Sequence, residues 1–264
     1  MKFKNVLLAS DFDGTLADSS GKIPEKVISA IKYFMSEGGR FTVCTGRIYQ
    51  GFHLYSGEYI NAPVLLGNGA MAYDYKNKEI VFNDAIGDEG IAPVKNIISN
   101  FPSVAVETYN FDEVCSINAG EDSIHHFTSM GIDFTEIVSP EQAPRPWTKV
   151  MIYAYGCSAE VQRLLDRHEE VNYLKTTGDY IEILKKGVDK GKGLLKLGEM
   201  LSCKPCDIYA AGDGYNDVDM LKAAAKGFVP GNGSQEALAV AEYVTRTNND
   251  GCIAHAIEIL DKLY

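Results

Sequence analysis

The sequence predicts an α/β protein built on a doubly wound, mostly parallel sheet, and three observations support this fold class. Short apolar runs alternate with stretches that carry the apolar stripe of a helix, as in sheets whose strands are buried on both faces. Polar clusters rich in Asp, Thr and Gly directly follow several of these runs. A middle section breaks the alternation, so we expect an inserted second domain there.

The first half of the predicted sheet lies before residue 84. Residues 6–9 form a buried strand, Pro24 opens a helix, and Gly38 and Gly39 end it. Two further buried strands are predicted at residues 41–44 and 64–66.

The second half of the sheet begins near residue 186. We therefore predict a core made of residues 1–83 and 186–264, with an α+β domain inserted at 84–185. The insertion is predicted to contain helices at 91–101 and 159–170 and strands at 104–107, 114–117, 150–154 and 180–184. The core continues with a helix at 192–201, strands at 208–211, 228–229 and 243–244, and a terminal helix.

Charge and composition exclude several classes of partner. The chain has 25 Lys and Arg against 36 Asp and Glu, a formal net charge of -11 at pH 7, so its field repels nucleic acid. A small phosphate ester is still compatible, because local groups decide binding at close range. The first apolar run is too short for a signal peptide or a membrane span, so we expect a cytoplasmic protein with no membrane partner.

The spacing Cys203-x-x-Cys206 could suit redox chemistry or zinc, but the context of the cysteines and histidines argues against such a site. Cys203-x-x-Cys206 has no second pair of ligands, and the six cysteines are expected to be free thiols. His125 and His126 are adjacent, without metal-ligand spacing, and are expected to be structural or surface residues. The chain also has no GxGxxG motif and no P-loop.

Asp11 and Asp13 follow the first predicted strand, with Gly14 directly behind them. The glycine permits a sharp turn, so both carboxylates and nearby N–H groups can surround one small anion. One carboxylate can attack phosphorus, while the other protonates the leaving oxygen and later activates water. An Asp-Gly turn closed by a side-chain hydrogen bond would explain the same residues without chemistry.

Such a mechanism needs positive charge, because carboxylates repel phosphate. Mg²⁺ prefers oxygen ligands, which Asp11 and Asp213 would supply while Asp217 orients them. Lys190 at a helix start can reach a phosphoryl oxygen, although a lone lysine is usually a solvated surface residue. The hydroxyl of Thr45, at the end of the second predicted strand, can donate to another phosphoryl oxygen.

Three further residues after predicted strands are candidates for phosphate or substrate contacts. Gly46 allows close approach of the backbone, and Arg47 can pair with the substrate or with a carboxylate. Asn68, which stands between two glycines, either faces the substrate or is simply a turn residue.

Together, these motifs resemble those of haloacid dehalogenase superfamily phosphatases, and they occur in the same order. They read Asp11-Phe12-Asp13-Gly14-Thr15, Thr45-Gly46-Arg47, Lys190-Gly191 and Gly212-Asp213-Gly214-Tyr215-Asn216-Asp217. Asn68-Gly69-Ala70, the Thr-Gly-Arg triplet and the insertion also resemble the Cof-type subfamily, which has a Rossmann-like core and an α+β cap.

The resemblance implies a role for each matching residue. Asp11 would be the nucleophile and a metal ligand, and Asp13 would be the acid/base and give a backbone carbonyl to Mg²⁺. Asp213 would complete the protein ligands of the metal. The remaining matches would hold the phosphoryl group or support the acidic loop: Thr45, Gly46, Lys190, Asn216 and Asp217.

The activity implied by the resemblance is Mg²⁺-dependent hydrolysis of small phosphate esters, mostly sugar phosphates, through an aspartyl-phosphate. The cap would close over the site and select the leaving group. Two alternatives stay open, a sugar phosphomutase and a non-catalytic protein that senses a phosphorylated metabolite. Cap residues considered for substrate selection are Arg145, Trp147, Lys149, Tyr180 and Glu182.

Overall fold

The structure, a computed structural model, describes residues 1–175 and 178–264 and divides into two compact units. The first unit comprises Met1–Gly46, Leu54–Phe82 and Asp189–Tyr264, and the second comprises Arg47–His53 and Asn83–Val188. The described strands are β1 (Leu7–Ser10), β2 (Arg40–Val43), β3 (Val64–Leu66), β4 (Met71–Asp74), β5 (Glu79–Asn83), β6 (Ala105–Tyr109), β7 (Val114–Ile117), β8 (Thr135–Glu136), β9 (Lys149–Tyr153), β10 (Val171–Lys175), β11 (Tyr180–Lys185), β12 (Ile208–Ala211), β13 (Lys226–Pro230) and β14 (Tyr243–Thr245). The described α-helices are α1 (Glu25–Ser36), α2 (Ile91–Asn100), α3 (Glu121–Met130), α4 (Ser158–Leu165), α5 (Lys190–Met200), α6 (Val218–Ala223), α7 (Gln235–Leu238) and α8 (Cys252–Leu263).

A five-stranded parallel sheet forms the centre of the first unit, in the order β14-β13-β12-β1-β2. Strand β1 pairs with β12 on one side and with β2 on the other, and all four of its residues are buried. This is the burial expected of a strand covered on both faces. The carboxyl ends of β1, β2 and β12 therefore lie side by side at one edge of the sheet.

A small sheet extends the first unit beyond β2. A parallel bridge between Cys44 and Leu65 links the end of β2 to β3, and β3 pairs antiparallel with β4 in a three-stranded sheet β3-β4-β5. The turn after β4 is closed by Asp74, whose Oδ1 accepts the N–H groups of Lys76 and Asn77 at 2.9 and 3.0 Å. Strands β4 and β5 were not predicted, because no Gly or Pro separates them in the sequence.

The second unit is a six-stranded sheet in the order β10-β11-β9-β6-β7-β8, antiparallel except for the pair β7 and β8. Alternate residues of β6, β9 and β11, such as Val106, Ile152 and Ile181, enter one apolar core with residues of α2 and α4. The residues between them, including Glu107 and Glu182, belong to the opposite face of the sheet. The two faces of this sheet are therefore chemically different.

The α/β fold class with a parallel core sheet is confirmed, and most predicted elements are present with shifted ends. Helix α4 ends at Leu165, where we had expected it to reach residue 170, and α3 was not predicted. Trp147, considered for substrate selection, is fully buried in the core of the second unit and so has a packing role there. No described helix combines the length and apolar character that a bilayer crossing requires.

Candidate active site

Asp11 and Thr45 lie at one edge of the parallel sheet, in loops that follow neighbouring strands. Asp11 follows β1, and its N–H donates to the carbonyl oxygen of Ala211 at the end of β12, at 2.8 Å. Thr45 lies just beyond β2 and donates its N–H to the carbonyl oxygen of Leu65, at 2.9 Å. Backbone hydrogen bonds therefore fix both positions before any ligand is present.

The ammonium group of Lys190 lies between two buried carboxylates. Its Nζ donates to Oδ1 of Asp11 and to Oδ1 of Asp217, each at 2.6 Å. Lys190 is the first residue of α5 and its side chain is fully buried. The interpretation of Lys190 as a solvated surface lysine is therefore wrong, because both of its ion pairs are in the protein interior.

The charges of this cluster shift the ionisation of its members. Burial alone would lower the pKa of Lys190, but the carboxylates of Asp11 and Asp217 more than offset it and raise the pKa above its ordinary value. Burial raises the pKa of the Asp11 carboxyl, and the Lys190 ammonium opposes this effect. Asp11 is thus a buried carboxylate whose charged form depends on nearby positive charge.

Asp217 holds the acidic loop after β12 in place. Its Oδ2 accepts the backbone N–H groups of Asp213 and Gly214 at 2.9 and 2.8 Å, while its Oδ1 accepts from Lys190. Both oxygens of Asp217 are thus already engaged. Through these contacts Asp217 holds the loop that carries Asp213.

The turn that follows Asp11 also helps to position Asp213. The hydroxyl of Thr15 donates to Oδ1 of Asp213 at 2.7 Å. Burial raises the pKa of Asp213, and this hydrogen bond works against the shift. The N-terminal turn and the late acidic loop are therefore directly joined through side chains.

A divalent cation fits this cluster. Asp11, Asp213 and Asp217 each offer a carboxylate oxygen, and these oxygens lie within 4.8 Å of one another. The carboxylate of Asp217 already accepts three hydrogen bonds, so those of Asp11 and Asp213 are better placed to hold an ion. A set of oxygen donors is the kind that hard cations such as Mg²⁺ prefer.

The residues predicted to contact the phosphoryl group lie in adjoining loops of the same unit. Nδ2 of Asn216 donates to Oδ1 of Asn68 at 3.0 Å, and the N–H of Asn68 donates to the carbonyl oxygen of Thr45, also at 3.0 Å. A Cβ atom at Gly46 would stand 3.1 Å from Oδ1 of Asn68. Asn68 is both a turn residue, with a φ of 55°, and a buried side-chain partner.

Two of the predicted site residues, Asp13 and Arg47, differ from this group in their surroundings. Asp13 is exposed on the turn between β1 and α1. Arg47 belongs to the segment Arg47–His53 of the second unit, where its guanidinium donates to the carbonyl oxygen of Gly51 at 3.4 Å. Its contact with a substrate stays a prediction.

The sequence reasoning assigned no role to two residues that shape the site. One is Thr15, which was visible as the last residue of the Asp-x-Asp-Gly-Thr motif. The other is Asn232, whose Nδ2 donates to the carbonyl oxygen of Gly14 at 2.9 Å. Asn232 stands between two glycines, as Asn68 does, and that repeated pattern could have identified it.

Replacing Gly14 with Ala is expected to damage this site. The backbone at Gly14 has a φ of 80°, and a Cβ atom there would stand 2.5 Å from Oδ2 of Asp213. Gly21 provides a matched control, because its φ is 76° but a Cβ atom would meet nothing within 4 Å. We expect Gly21→Ala to cost about 1 kcal/mol of unfolding free energy from backbone strain, and Gly14→Ala about 1–3 kcal/mol more.

Urea unfolding and divalent-cation binding of both variants measure this difference. Gly14→Ala should also weaken cation binding by at least about tenfold, because displacing Asp213 disturbs the cation site, whereas Gly21→Ala should leave cation binding unchanged. If the two variants lose stability and cation binding equally, the close approach of Gly14 to Asp213 does not matter for the site.

Comparisons with known proteins agree with this geometry. Residues 8–257 match the model of the family described as haloacid dehalogenase-like hydrolase. The chain is 26% identical over 284 residues to the 5-amino-6-(5-phospho-D-ribitylamino)uracil phosphatase YwtE of Bacillus subtilis, covering 96% of this chain and 97% of the relative. It is 25% identical over 272 residues to YitU of the same organism, which bears the same enzyme name, with 98% of each chain covered.

Solved structures share the fold over almost the whole chain. A phosphatase of the same superfamily from Bacteroides thetaiotaomicron superposes with a TM-score of 0.85 at 22% identity, covering 98% of this chain and 96% of that one. A sugar phosphatase of subclass IIB superposes with a TM-score of 0.86 at 20% identity, covering 97% and 99%. At these identities the likeness establishes the architecture, a parallel α/β core with further sheets.

Proposed function

The chain belongs to the haloacid dehalogenase-like hydrolase family and is a Cof-type phosphatase of it, and from that premise we propose its chemistry. We propose that it hydrolyses phosphate monoesters of small polyhydroxylated metabolites, chiefly sugar phosphates, through an aspartyl-phosphate on Asp11. One observation carries the proposal. The buried carboxylate of Asp11 lies 2.6 Å from the buried ammonium of Lys190 and within 4.8 Å of a carboxylate oxygen of Asp213.

We propose Mg²⁺ as the cation held by Asp11, Asp213 and the backbone carbonyl of Asp13. When bound, the ion would offset the negative charge that three carboxylates and a substrate phosphate bring together. Lys190 supplies a fixed positive charge in addition, but it is already shared by Asp11 and Asp217. The cluster therefore has more negative than positive charge of its own, which supports the need for a metal.

In the proposed first half-reaction, a carboxylate oxygen of Asp11 attacks phosphorus and forms an acyl phosphate. The bond from phosphorus to the ester oxygen breaks, and Asp13 gives its proton to that oxygen as the alcohol leaves. Lys190, the hydroxyl of Thr45 and the amide of Asn216 hold the phosphoryl oxygens, and Gly46 lets its backbone approach them. The result is an alcohol product and a phosphorylated Asp11.

In the second half-reaction, Asp13 takes a proton from a water molecule that attacks the same phosphorus. The bond between phosphorus and the Asp11 oxygen then breaks, which releases inorganic phosphate and restores the carboxylate. Asp13 is exposed and Asp11 is buried. This difference supports the division of work, because the acid/base must reach water while the nucleophile must be shielded from it.

The proposed substrate class rests on the chemistry of the relatives. A phosphoribityl compound, named for the two Bacillus subtilis enzymes, and a sugar phosphate both carry the ester on a polyhydroxylated carbon chain. Within this proposal, Arg47 and Asn68 contact the substrate, and residues 84–185 act as the cap that selects the leaving group. The six cysteines are free thiols, which supports a cytoplasmic location.

Phosphate release from a panel of esters tests the proposal. We expect the purified chain to release inorganic phosphate from sugar phosphates and sugar-alcohol phosphates when Mg²⁺ is present, and to lose this activity when EDTA removes the metal. Isomerised sugar phosphate without free phosphate would identify a mutase instead. Saturable binding without turnover of any compound would identify a sensor protein.

A further inference from the structure

The second unit contains a cavity of about 370 Å³ that none of the residues discussed above for phosphoryl transfer enters. The cavity lies between α3 and the face of the sheet opposite the apolar core. Its lining consists of Asp122, His125, His126 and Ser129 of α3 together with Met151, Tyr153 and Tyr180 of the sheet. The described residues that line it include no lysine or arginine.

A buried carboxylate lies next to two of the lining residues. Glu107 is fully buried, and its Oε2 accepts the hydroxyl of Tyr109 and lies 3.3 Å from Nδ1 of His126. Its other oxygen, Oε1, has no hydrogen-bond partner among the described residues. Burial, with the charge and hydrogen bond of Glu107, raises the pKa of the lining residue Tyr153, so this phenol stays neutral.

A second carboxylate, that of Asp122, is exposed at the cavity. The hydrogen bond with Tyr180 raises the pKa of the Tyr155 phenol, and burial and the charge of Asp122 act in the same direction. The hydroxyl oxygens of Tyr155 and Tyr180 are 2.7 Å apart. The cavity thus has one carboxylate, that of Asp122, in its lining, and a second, that of Glu107, buried beside it.

Aromatic rings complete the walls. The rings of Tyr153 and Tyr180 are perpendicular, at 89°, with centroids 5.0 Å apart, and Tyr155 packs edge-on against Tyr180 at 5.8 Å. The face of a tyrosine ring attracts ammonium groups, and Tyr153 and Tyr180 both line the cavity. The carboxylates of Asp122 and Glu107 act in the same direction, and the lining residues that can carry positive charge are the histidines His125 and His126.

We propose that this cavity binds a small organic cation, an ammonium-bearing molecule or group. The carboxylate of Asp122 would pair with the cation and the rings of Tyr153 and Tyr180 would enclose it, while buried Glu107 strengthens the local field. A neutral polyol would gain hydrogen bonds here but none of the charge attraction. The inference does not depend on the proposed phosphoryl transfer, since none of the residues assigned to that step lines the cavity.

The test compares cations with neutral molecules of similar shape, by isothermal titration of the full chain. The pairs are choline with 3,3-dimethyl-1-butanol and ethanolamine with ethylene glycol. We expect at least one cation to bind with one-site stoichiometry and at least about tenfold more tightly than its neutral partner. If each cation binds no more tightly than its neutral partner, the cavity is a polyol site and not a cation site. If no compound binds, the proposal is overturned.

Two variants decide whether binding occurs in this cavity. Asp122→Asn removes the exposed carboxylate and should weaken cation binding by about tenfold. Glu121→Gln is the matched control, because Glu121 is the preceding exposed acid on the same helix and does not line the cavity. Equal weakening in both variants would mean that the general negative charge of the protein attracts the cation, which would refute a built site.

Discussion

Replacing Asp11 with Asn is expected to lower the rate of phosphate release by about 10⁴-fold or more while the protein stays folded. The amide has the shape of the carboxylate, but it cannot attack phosphorus to form an acyl phosphate. The substitution also removes a buried negative charge. The raised pKa of Asp11 indicates that burying this charge is unfavourable. Lys190 keeps its second partner, Asp217, at 2.6 Å, so the ammonium is not left alone.

The measurement is single-turnover phosphate release, together with a melting curve and a mass spectrum of the quenched enzyme. Wild type should accumulate a phosphorylated chain and Asp11→Asn should not. Asp18→Asn is the matched control, because Asp18 only closes a local turn through Ser20 and Lys22. Turnover near the wild-type rate in Asp11→Asn would rule out Asp11 as the nucleophile.

The second large effect is expected at Lys190. Lys190→Met keeps the length of the side chain but leaves the buried carboxylates of Asp11 and Asp217 without their shared cation. Breaking a buried ion pair by removing one partner costs about 3–5 kcal/mol. We expect a loss of this size in the free energy of unfolding without metal, and a decrease of about 10²–10³-fold in turnover with it.

Urea unfolding with and without Mg²⁺ checks the first part of this prediction. Added metal should recover part of the lost stability, since it brings positive charge back to the same carboxylates. Lys192→Met is the control, because Lys192 lies two residues further along the same helix and is 64% exposed. The control should change stability by no more than about 0.5 kcal/mol. Similar losses in the two variants would contradict the buried role of Lys190.

The sequence predicts the parallel core well because its strands are unbroken apolar runs followed by polar clusters. It predicts less of the second unit, where α3 has apolar residues only at a few positions and carries two adjacent histidines in its middle. We expected these histidines to be structural or surface residues, and His126 does have a structural contact, with Glu107 and Tyr153. Sequence patterns could not show this contact, because both partners lie on other elements.

The burial of Lys190 is the clearest example of what local sequence does not determine. A lone lysine is normally solvated, and only the arrival of Asp11 and Asp217 from distant strands makes its burial favourable. Lys149 and Glu182, which we considered for substrate selection, are likewise paired with each other at 2.8 Å in a buried position. In both cases the lysine is buried because a carboxylate partner lies beside it, and its residue type alone does not predict this.

The link between β1 and β12 also fixes when this protein can become active during its synthesis. Asp11 and Lys190 are 179 positions apart, and Thr15 and Asp213 are 198 apart. A ribosome that adds roughly 5–20 residues per second needs on the order of 10–40 s to cover that distance. During all of that time one edge of β1 has no strand to pair with, and the site cannot assemble until the segment that carries Asp213 and Asp217 has been made.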